Sequence, residues 1–397
     1  MKPKIRFSSS NILYEEKTLS EISTINPKTN VPLEFEYVDL ESVSGTEMTN
    51  HRTEHKATAP SRAQRLAKKG DIFYQTVRPY QKNNYYFDMD DDNYVFSTGY
   101  AQIRPSIYGK YLFTLLQNDS FLKQVLDNCA GTSFPAINPS VLSRLSVRIC
   151  KDKQEQQAIA SYFTSLDSQI SASTSRLASL KQMKAASLQA MFPQEGETVP
   201  KIRFKGFEGE WTWLKLGDIS EQVKRKAPIN STAPVMMISA LNGFINQSEK
   251  YSDNNAGSSL ANYTLLKKGE LSYNHGYSKT RNFGSCFNLL VEEARIPFVY
   301  HSFRLTNDND SFYAYYLNSG TKDKDLKRLV SSTARMDGLL NISFKNYMEL
   351  SVPHPSLAEQ QAIANYFTSL DRQISLQSQR LEKLKQIKSA CLDKMFV

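Results

Sequence analysis

The stretch from Glu155 to Phe192 is written a second time from Glu359 to Phe396, and no other feature limits the chain as much. At a constant offset of 204, without a gap, 25 of the 38 positions are identical. A match of that length is an internal duplication, so both halves are expected to follow one plan. Neither copy contains proline or glycine, and the good helix formers Ala, Leu, Gln and Lys are abundant in both. An N-cap residue precedes each copy at capping-box spacing, Asp152 with Glu155 and Ser356 with Glu359.

Apolar residues recur along each copy every seven positions, the pattern of a coiled-coil seam. Ile159, Leu166 and Leu180 share one seam position in the first helix, and Phe163, Ile170, Leu177 and Met191 the other. In the second helix Ile363, Leu370 and Leu384 alternate with Phe367, Ile374, Leu381 and Met395. Polar residues interrupt the seam at Ser173, Lys184, Ser187, Gln377 and Lys388. A helix of this length, roughly 55–60 Å, far exceeds the globular average of about 11–12 residues and needs a partner. Its own duplicate is the nearest one, and a helix of another chain is the alternative.

At 397 residues the chain exceeds what one hydrophobic core usually serves. Its net charge of +9 suits a polyanionic partner, but the excess is spread thinly over all segments. The four cysteines (Cys129, Cys150, Cys286, Cys391) form neither a zinc spacing nor a disulfide framework, as in a reducing cytoplasm. The N-terminus lacks the apolar core of a signal peptide, and no run approaches the ~20 apolar residues that span a bilayer. A soluble cytoplasmic protein is expected.

In chain order, residues 1–150 form a first globular segment. Short apolar runs at Phe35–Val38, Ile72–Val77, Tyr94–Ser97 and Ala101–Ile103 read as strands, and Tyr111–Cys129 as helix, which argues α+β. The first long helix takes 151–192, and a linker bounded by prolines takes 193–199. The opening then repeats at an offset of 197: Pro3-Lys4-Ile5-Arg6-Phe7 returns as Pro200-Lys201-Ile202-Arg203-Phe204. Lys68-Lys69-Gly70-Asp71-Ile72 is echoed by Lys267-Lys268-Gly269-Glu270-Leu271. The second globular segment, 200–352, leads through a strand at Glu349–Val352 into the second long helix, 353–397. The halves share helices and landmarks and differ almost everywhere between.

No catalytic constellation is present: no phosphate-binding GxxxxGK[ST], no GxGxxG after a strand, no HExxH and no GxSxG. Asn138-Pro139-Ser140 lacks the second proline and the aromatic residue of an amino-methyltransferase tetrapeptide. His51 and His55 sit in a polar run that reads as a solvated loop, and His354 lies between two prolines. The acidic run Asp88–Asp92 lacks the glycine and final glutamate of a calcium loop. No metal site is expected.

What remains is loop chemistry suited to duplex DNA, where Arg or Lys reads guanine and Asn or Gln reads adenine. Arg78, Tyr80, Lys82, Asn83 and Asn84 supply it after the first Gly-Asp landmark, with Ser133 on a second loop. Asn274, His275, Tyr277, Ser278, Lys279 and Arg281 supply it after the matching Gly-Glu landmark, with Arg335 on a later loop. Singly, such residues are ordinary surface; their recurrence at equivalent places in both halves distinguishes them.

With these residues in view, the chain resembles a specificity subunit of a type I restriction-modification system. The resemblance rests on the duplicated GluGlnGlnAlaIleAla-x-TyrPheThrSerLeuAsp helices and the ValProHisPro-x-x-x-GluGln approach to the second. It rests also on the junction from Met191-Phe192-Pro193 through Pro200-Lys201-Ile202-Arg203-Phe204 to Leu216-Gly217-Asp218-Ile219. The first approach departs from the pattern, reading ArgIleCysLysAspLys. The resemblance implies two target-recognition domains, each reading half of a bipartite site, and helices paired as an antiparallel coiled coil that sets the gap. It implies no catalysis and no cofactor in this chain. Two modification subunits would bring S-adenosylmethionine and methylate adenine, and restriction subunits using ATP and Mg would join through the complex. A self-contained DNA methyltransferase and a coiled-coil adaptor binding only proteins are the competing readings.

Overall fold

The computed structural model describes residues 3–7, 14–228, 230–249, 260, 262–330 and 340–396. It divides into two compact units, residues 1–174 with 379–397, and residues 175–378. The division falls inside both long helices, Lys153–Ala190 and Leu357–Met395, rather than at their ends. Each unit therefore owns the start of one helix and the end of the other.

In the first unit Ser23–Ile25, Tyr100–Pro105, Ile72–Gln75 and Tyr85–Tyr86 form an antiparallel sheet in that order. A second sheet runs Arg52–His55, Glu34–Val38, Tyr94–Ser97 and Ala63–Leu66, its middle pair parallel. Phe73 and Phe96 stack in the core with ring centroids 3.6 Å apart. The expected helix at Tyr111–Cys129 is two helices, Gly109–Leu116 and Asp119–Asp127. Asn118 separates them because its side chain caps the second by accepting from the Ser120 N–H at 2.7 Å. The expected strands at Phe35, Ile72, Tyr94 and Ala101 all form.

The second unit repeats the first sheet: Ser220–Gln222, His301–Leu305, Leu271–Asn274 and Ser285–Asn288, in the same order and all antiparallel. The acid-glycine landmark preceding the inner strand is the same turn in both. Gly70 (φ +94°) and Gly269 (φ +83°) adopt the left-handed conformation that favours glycine. The Asp71 carboxylate accepts the Lys68 N–H at 2.9 Å, and Glu270 accepts the Lys267 N–H at 2.8 Å. Their partners differ: Arg104 grips Asp71, whereas Arg225 grips Glu270.

Within each unit the two helices run antiparallel. In the first, Phe163 lies near Phe396 and Lys388 pairs with Asp167 at 2.5 Å. The second mirrors it with Phe192 stacked on Phe367 and Lys184 paired with Asp371 at 2.5 Å. Three of the polar residues that broke the seam in the sequence, Lys184, Ser187 and Lys388, are thus cross-helix partners. Ile159, Phe163 and Leu166 are buried in one core with Leu112 and Ile149; Ile363 and Phe367 join Phe303 and Tyr316 in the other. Leu180, Leu370 and Leu381 are buried, while Ile170, Leu177, Ile374 and Leu384 are half-buried. Toward its ends the expected seam is domain core as much as helix-helix contact.

The capping box does not form as expected. Asp152 caps its helix through the Gln154 N–H (2.8 Å) and Ser356 through the Glu359 N–H (3.3 Å), but neither glutamate reaches back. Arg6 takes the buried Glu155 carboxylate at 3.2 Å, and Arg203 takes Glu359 at 2.6 and 2.7 Å, joined by the Trp211 indole N–H at 3.1 Å. The same segments close the other helix. The Ile5 N–H donates to the Lys394 carbonyl at 3.1 Å, and the Ile202 N–H to the Ala190 carbonyl at 2.9 Å. Pro-Lys-Ile-Arg-Phe is a clasp that holds one helix's start beside the other's end.

Breaking a buried ion pair by removing one partner leaves an uncompensated charge. Glu359→Ala is expected to destabilise the second unit by about 3 kcal/mol in urea unfolding, with Glu155→Ala doing the same to the first. A loss below about 1 kcal/mol in both would count against the clasp.

Candidate nucleic-acid interface

In the first unit the loop after Ile72–Gln75 is organised by Gln75, whose side chain is buried. Its amide donates to the Val77 carbonyl and to Gln81 Oε1, both at 2.8 Å, and its Oε1 accepts from the Asn83 N–H at 3.1 Å. Asn84 is 2 % exposed; it accepts the Gln75 N–H at 2.8 Å and reaches Gln117. Lys82 donates to Asp119 and to the Gln117 carbonyl. The Asn83 Oδ1 accepts the Gly45 N–H at 2.9 Å. Tyr80 and Ser133 are exposed and Arg78 is half-buried, on two loops bound edge to edge where the Arg78 N–H donates to the Pro135 carbonyl at 2.7 Å.

In the second unit the loop after Leu271–Asn274 starts at a buried histidine. The His275 Nδ1 lies 2.7 Å from the Leu340 carbonyl oxygen and Nε2 2.9 Å from that of Val299. Its ring stacks on His301 at 4.8 Å, and burial pushes the His301 imidazole below its ordinary range. Asn274 accepts the Gly276 N–H at 3.0 Å, and the Ser278 hydroxyl oxygen accepts the Arg281 N–H at 3.0 Å, closing the turn. The Arg281 guanidinium points inward to the Asn318 carbonyl. Burial lowers its affinity for a proton, opposed by the Asp323 carboxylate, which burial in turn pushes up. Tyr277 (58 % exposed) and Lys279 face outward, and among the described residues nothing engages the Lys279 ammonium.

Four of the expected contact residues have structural partners within the domain. Asn84, His275 and Arg281 are turned inward, and Lys82 is tied down by Asp119. Each satisfies backbone or side-chain groups that the loop's own shape would otherwise leave unpaired. Lys82 and Arg281 do one job: each binds the carbonyl of the residue ending a helix, Gln117 after Gly109–Leu116 and Asn318 after Asp310–Leu317. Arg335 lies outside the described residues. Phe134, 68 % exposed with the Arg78 guanidinium 5.7 Å from its ring centre, belongs to the same surface, although Ser133 alone was expected from that loop.

The remaining sequence motifs have structural partners. His51 and His55 pair with Glu36 (2.7 Å) and Glu34 (3.4 Å) across a strand edge rather than in a loop. Asp88 and Asp90 pair with Lys110 and Lys69. Asn138 caps the short helix Pro139–Leu142. Among the described residues no three His, Cys, Asp or Glu side chains converge as a metal site requires, and no helix is long and apolar enough to cross a membrane.

The sequence profile of the type I restriction modification DNA specificity domain matches this chain twice, at residues 11–182 and 208–386. The chain belongs to the type I restriction-modification specificity family. The two matches start 197 residues apart and end 204 apart, the two offsets of the internal repeat. Over 139 residues the chain is 34 % identical to the type I restriction enzyme HindI specificity subunit of Haemophilus influenzae, a stretch covering 34 % of this chain and 30 % of that one. The fold is similar to the type I restriction-modification S subunit from M. genitalium (TM-score 0.63, 17 % identity, 100 % and 99 % of the two chains). It is similar also to a chain in a structure on complex assembly and conformational transition of the type I restriction-modification system (TM-score 0.53, 19 % identity, 97 % and 98 %). Family membership and the two loop clusters coincide: the exposed loops sit on the repeated sheet of each specificity domain.

Two neighbouring cations of the second loop should behave oppositely. Arg281→Ala, which leaves the Asn318 carbonyl without its donor, is expected to destabilise the second unit by about 2 kcal/mol. Lys279→Ala should stay within about 0.5 kcal/mol of the parent, as exposed substitutions do. Thermal melting of the two variants decides it.

Proposed function

We propose that this chain reads a bipartite DNA site, one half through residues 1–150 and the other through residues 200–352, and carries no catalysis itself. The helical segments 151–192 and 353–397 set the gap between half-sites and dock two modification subunits. Those subunits supply S-adenosylmethionine and methylate adenine. Restriction subunits, with ATP and Mg, attach through the resulting complex, in the cytoplasm.

The observation that carries this reading is one specificity domain present twice, with the same sheet and clasp but unlike exposed loops. Like scaffolds allow two equivalent partners to dock, and unlike loops read unlike bases. The thinly spread +9 charge supports modest sequence-independent attraction, leaving discrimination to the loops. Lys279 suits a phosphate contact, since it is exposed and no described residue engages its charge.

Three outcomes are expected. Mapping methylated adenines in a genome expressing the chain with its modification subunit should give a two-part motif with a fixed gap, and exchanging residues 1–150 for another recognition segment should alter one half only. Transfer of labelled methyl groups by the purified chain alone would refute the reading. Inserting seven residues into both helices keeps the seam in phase and adds about 10 Å, so the gap should lengthen by about three base pairs with the half-sites unchanged. Finally, Lys279→Ala should weaken DNA binding uniformly across sequences and reduce the salt slope by about one.

A further inference from the structure

Arg78 combines two features that among the described residues occur together only there, a left-handed backbone and a buried guanidinium Nε without a partner. Its backbone is left-handed (φ +54°), as is that of Lys82 (φ +55°), and these flank the turn Pro79–Gln81. Among the described residues only Asn26 is a third non-glycine residue with positive φ. Such strain persists where the surroundings over-determine it, and it clusters at functional sites. Here the Arg78 N–H is fixed on the Pro135 carbonyl at 2.7 Å, while Asp119 and the Gln117 carbonyl fix Lys82.

The guanidinium is half-buried over the Phe134 ring, and its Nε is buried without a hydrogen-bond partner. No carboxylate or carbonyl among the described residues accepts from it. A preorganised cation lacking an acceptor is matched by a ligand that supplies one. In stretches 76–84 and 130–138 the charged residues are Arg78 and Lys82, and Asp119 compensates Lys82. A phosphate track needs several free cations; a single arginine beside a ring, its Nε buried and its two Nη groups without an acceptor among the described residues, has the Nη1–Nη2 edge to offer as a pair of N–H donors instead. In the major groove that edge fits the O6 and N7 acceptors of guanine. The exposed faces of Phe134 and Tyr80 (50 % exposed) offer apolar contact to the neighbouring nucleotide.

We infer that Arg78, braced on Phe134, reads a guanine in the half-site recognised by the first domain. This rests on the reading of the chain as a two-part DNA reader. Among the described residues the matching loop of the second domain holds no counterpart, because Arg281 is turned onto the Asn318 carbonyl.

The test maps methylated sites for the chain paired with its modification subunit, the first half-site being the one that changes when residues 1–150 are exchanged. Arg78→Asn, which tolerates the left-handed backbone, should lower the preference for guanine at one position of that half by about 10- to 100-fold and leave the other half intact. Arg78→Lys keeps the charge but loses the paired edge, and should relax the same position. Phe134→Leu should relax it too, which keeps the inference testable if Arg78→Asn does not fold. A first half-site without a G·C pair, or variants that keep every position as selective as the parent, overturns the assignment. So does a uniform loss restored by Arg78→Lys, the mark of a phosphate contact. A parent motif that is undivided would instead overturn the two-part reading, and the assignment with it.

Discussion

A buried glutamate at the start of each long helix, Glu155 or Glu359, is the contact on which the rest of the architecture depends. Its carboxylate is removed from water and must find a cation, and that cation arrives from a segment far away in sequence, Arg6 or Arg203. The same five-residue segment donates a backbone N–H to the last turn of the opposite helix, at Lys394 or Ala190. One short motif thereby fixes which end of one helix lies beside which end of the other. Buried ion pairs add little net stability compared with apolar packing, because desolvation offsets the attraction. What they add is intolerance of misalignment. Slipping either helix by one turn would strand a carboxylate in the core and unpair Lys184 from Asp371 or Lys388 from Asp167.

This division of labour explains what was legible in the sequence. Helix length, duplication and the main strands follow from local pattern, and Tyr94–Ser97 emerges with its expected bounds. Glu155 and Glu359 were misread because capping-box spacing is local, whereas their partners lie 149 and 156 residues away. Several loop residues found structural partners for a related reason. Asn84, His275 and Arg281 have the residue types that read DNA, but the same donors and acceptors satisfy a loop's own backbone. Composition cannot tell which way such a side chain turns. Lys279 and Tyr277 look no different in the sequence and face the other way.

The two domains also show how a recognition surface varies without loss of the frame. Asp71 and Glu270 hold the same turn with different arginines, Arg104 on the strand Tyr100–Pro105 and Arg225 on the loop after Ser220–Gln222. Lys82 and Arg281 tie the following loop to the same helix-ending carbonyl with different cations. In each case the backbone geometry is kept and the side chain providing it is exchanged. Once a loop is pinned at its root by such interchangeable ties, its outward residues are free of structural duty. Arg78, Tyr80 and Phe134 on one domain, and Tyr277 and Lys279 on the other, are such residues; each set holds one cation and an exposed tyrosine, but the cations differ in type and only the first set adds a phenylalanine.

Sequence discrimination needs that arrangement for an energetic reason. Phosphate contacts are equivalent at every site on a duplex, so a chain relying on its net charge would gain affinity without choice. Choice comes from a few side chains whose positions are settled before DNA arrives, since ordering them at the moment of contact would oppose binding. The strained backbone at Arg78 and the buried amide of Gln75 supply that prior order in the first domain, and the buried His275 supplies it in the second. On the proposed reading, a polar core beneath each loop is thus the condition for a selective surface above it, and buried residues such as Asn84 and His275 are what hold the outward side chains in place.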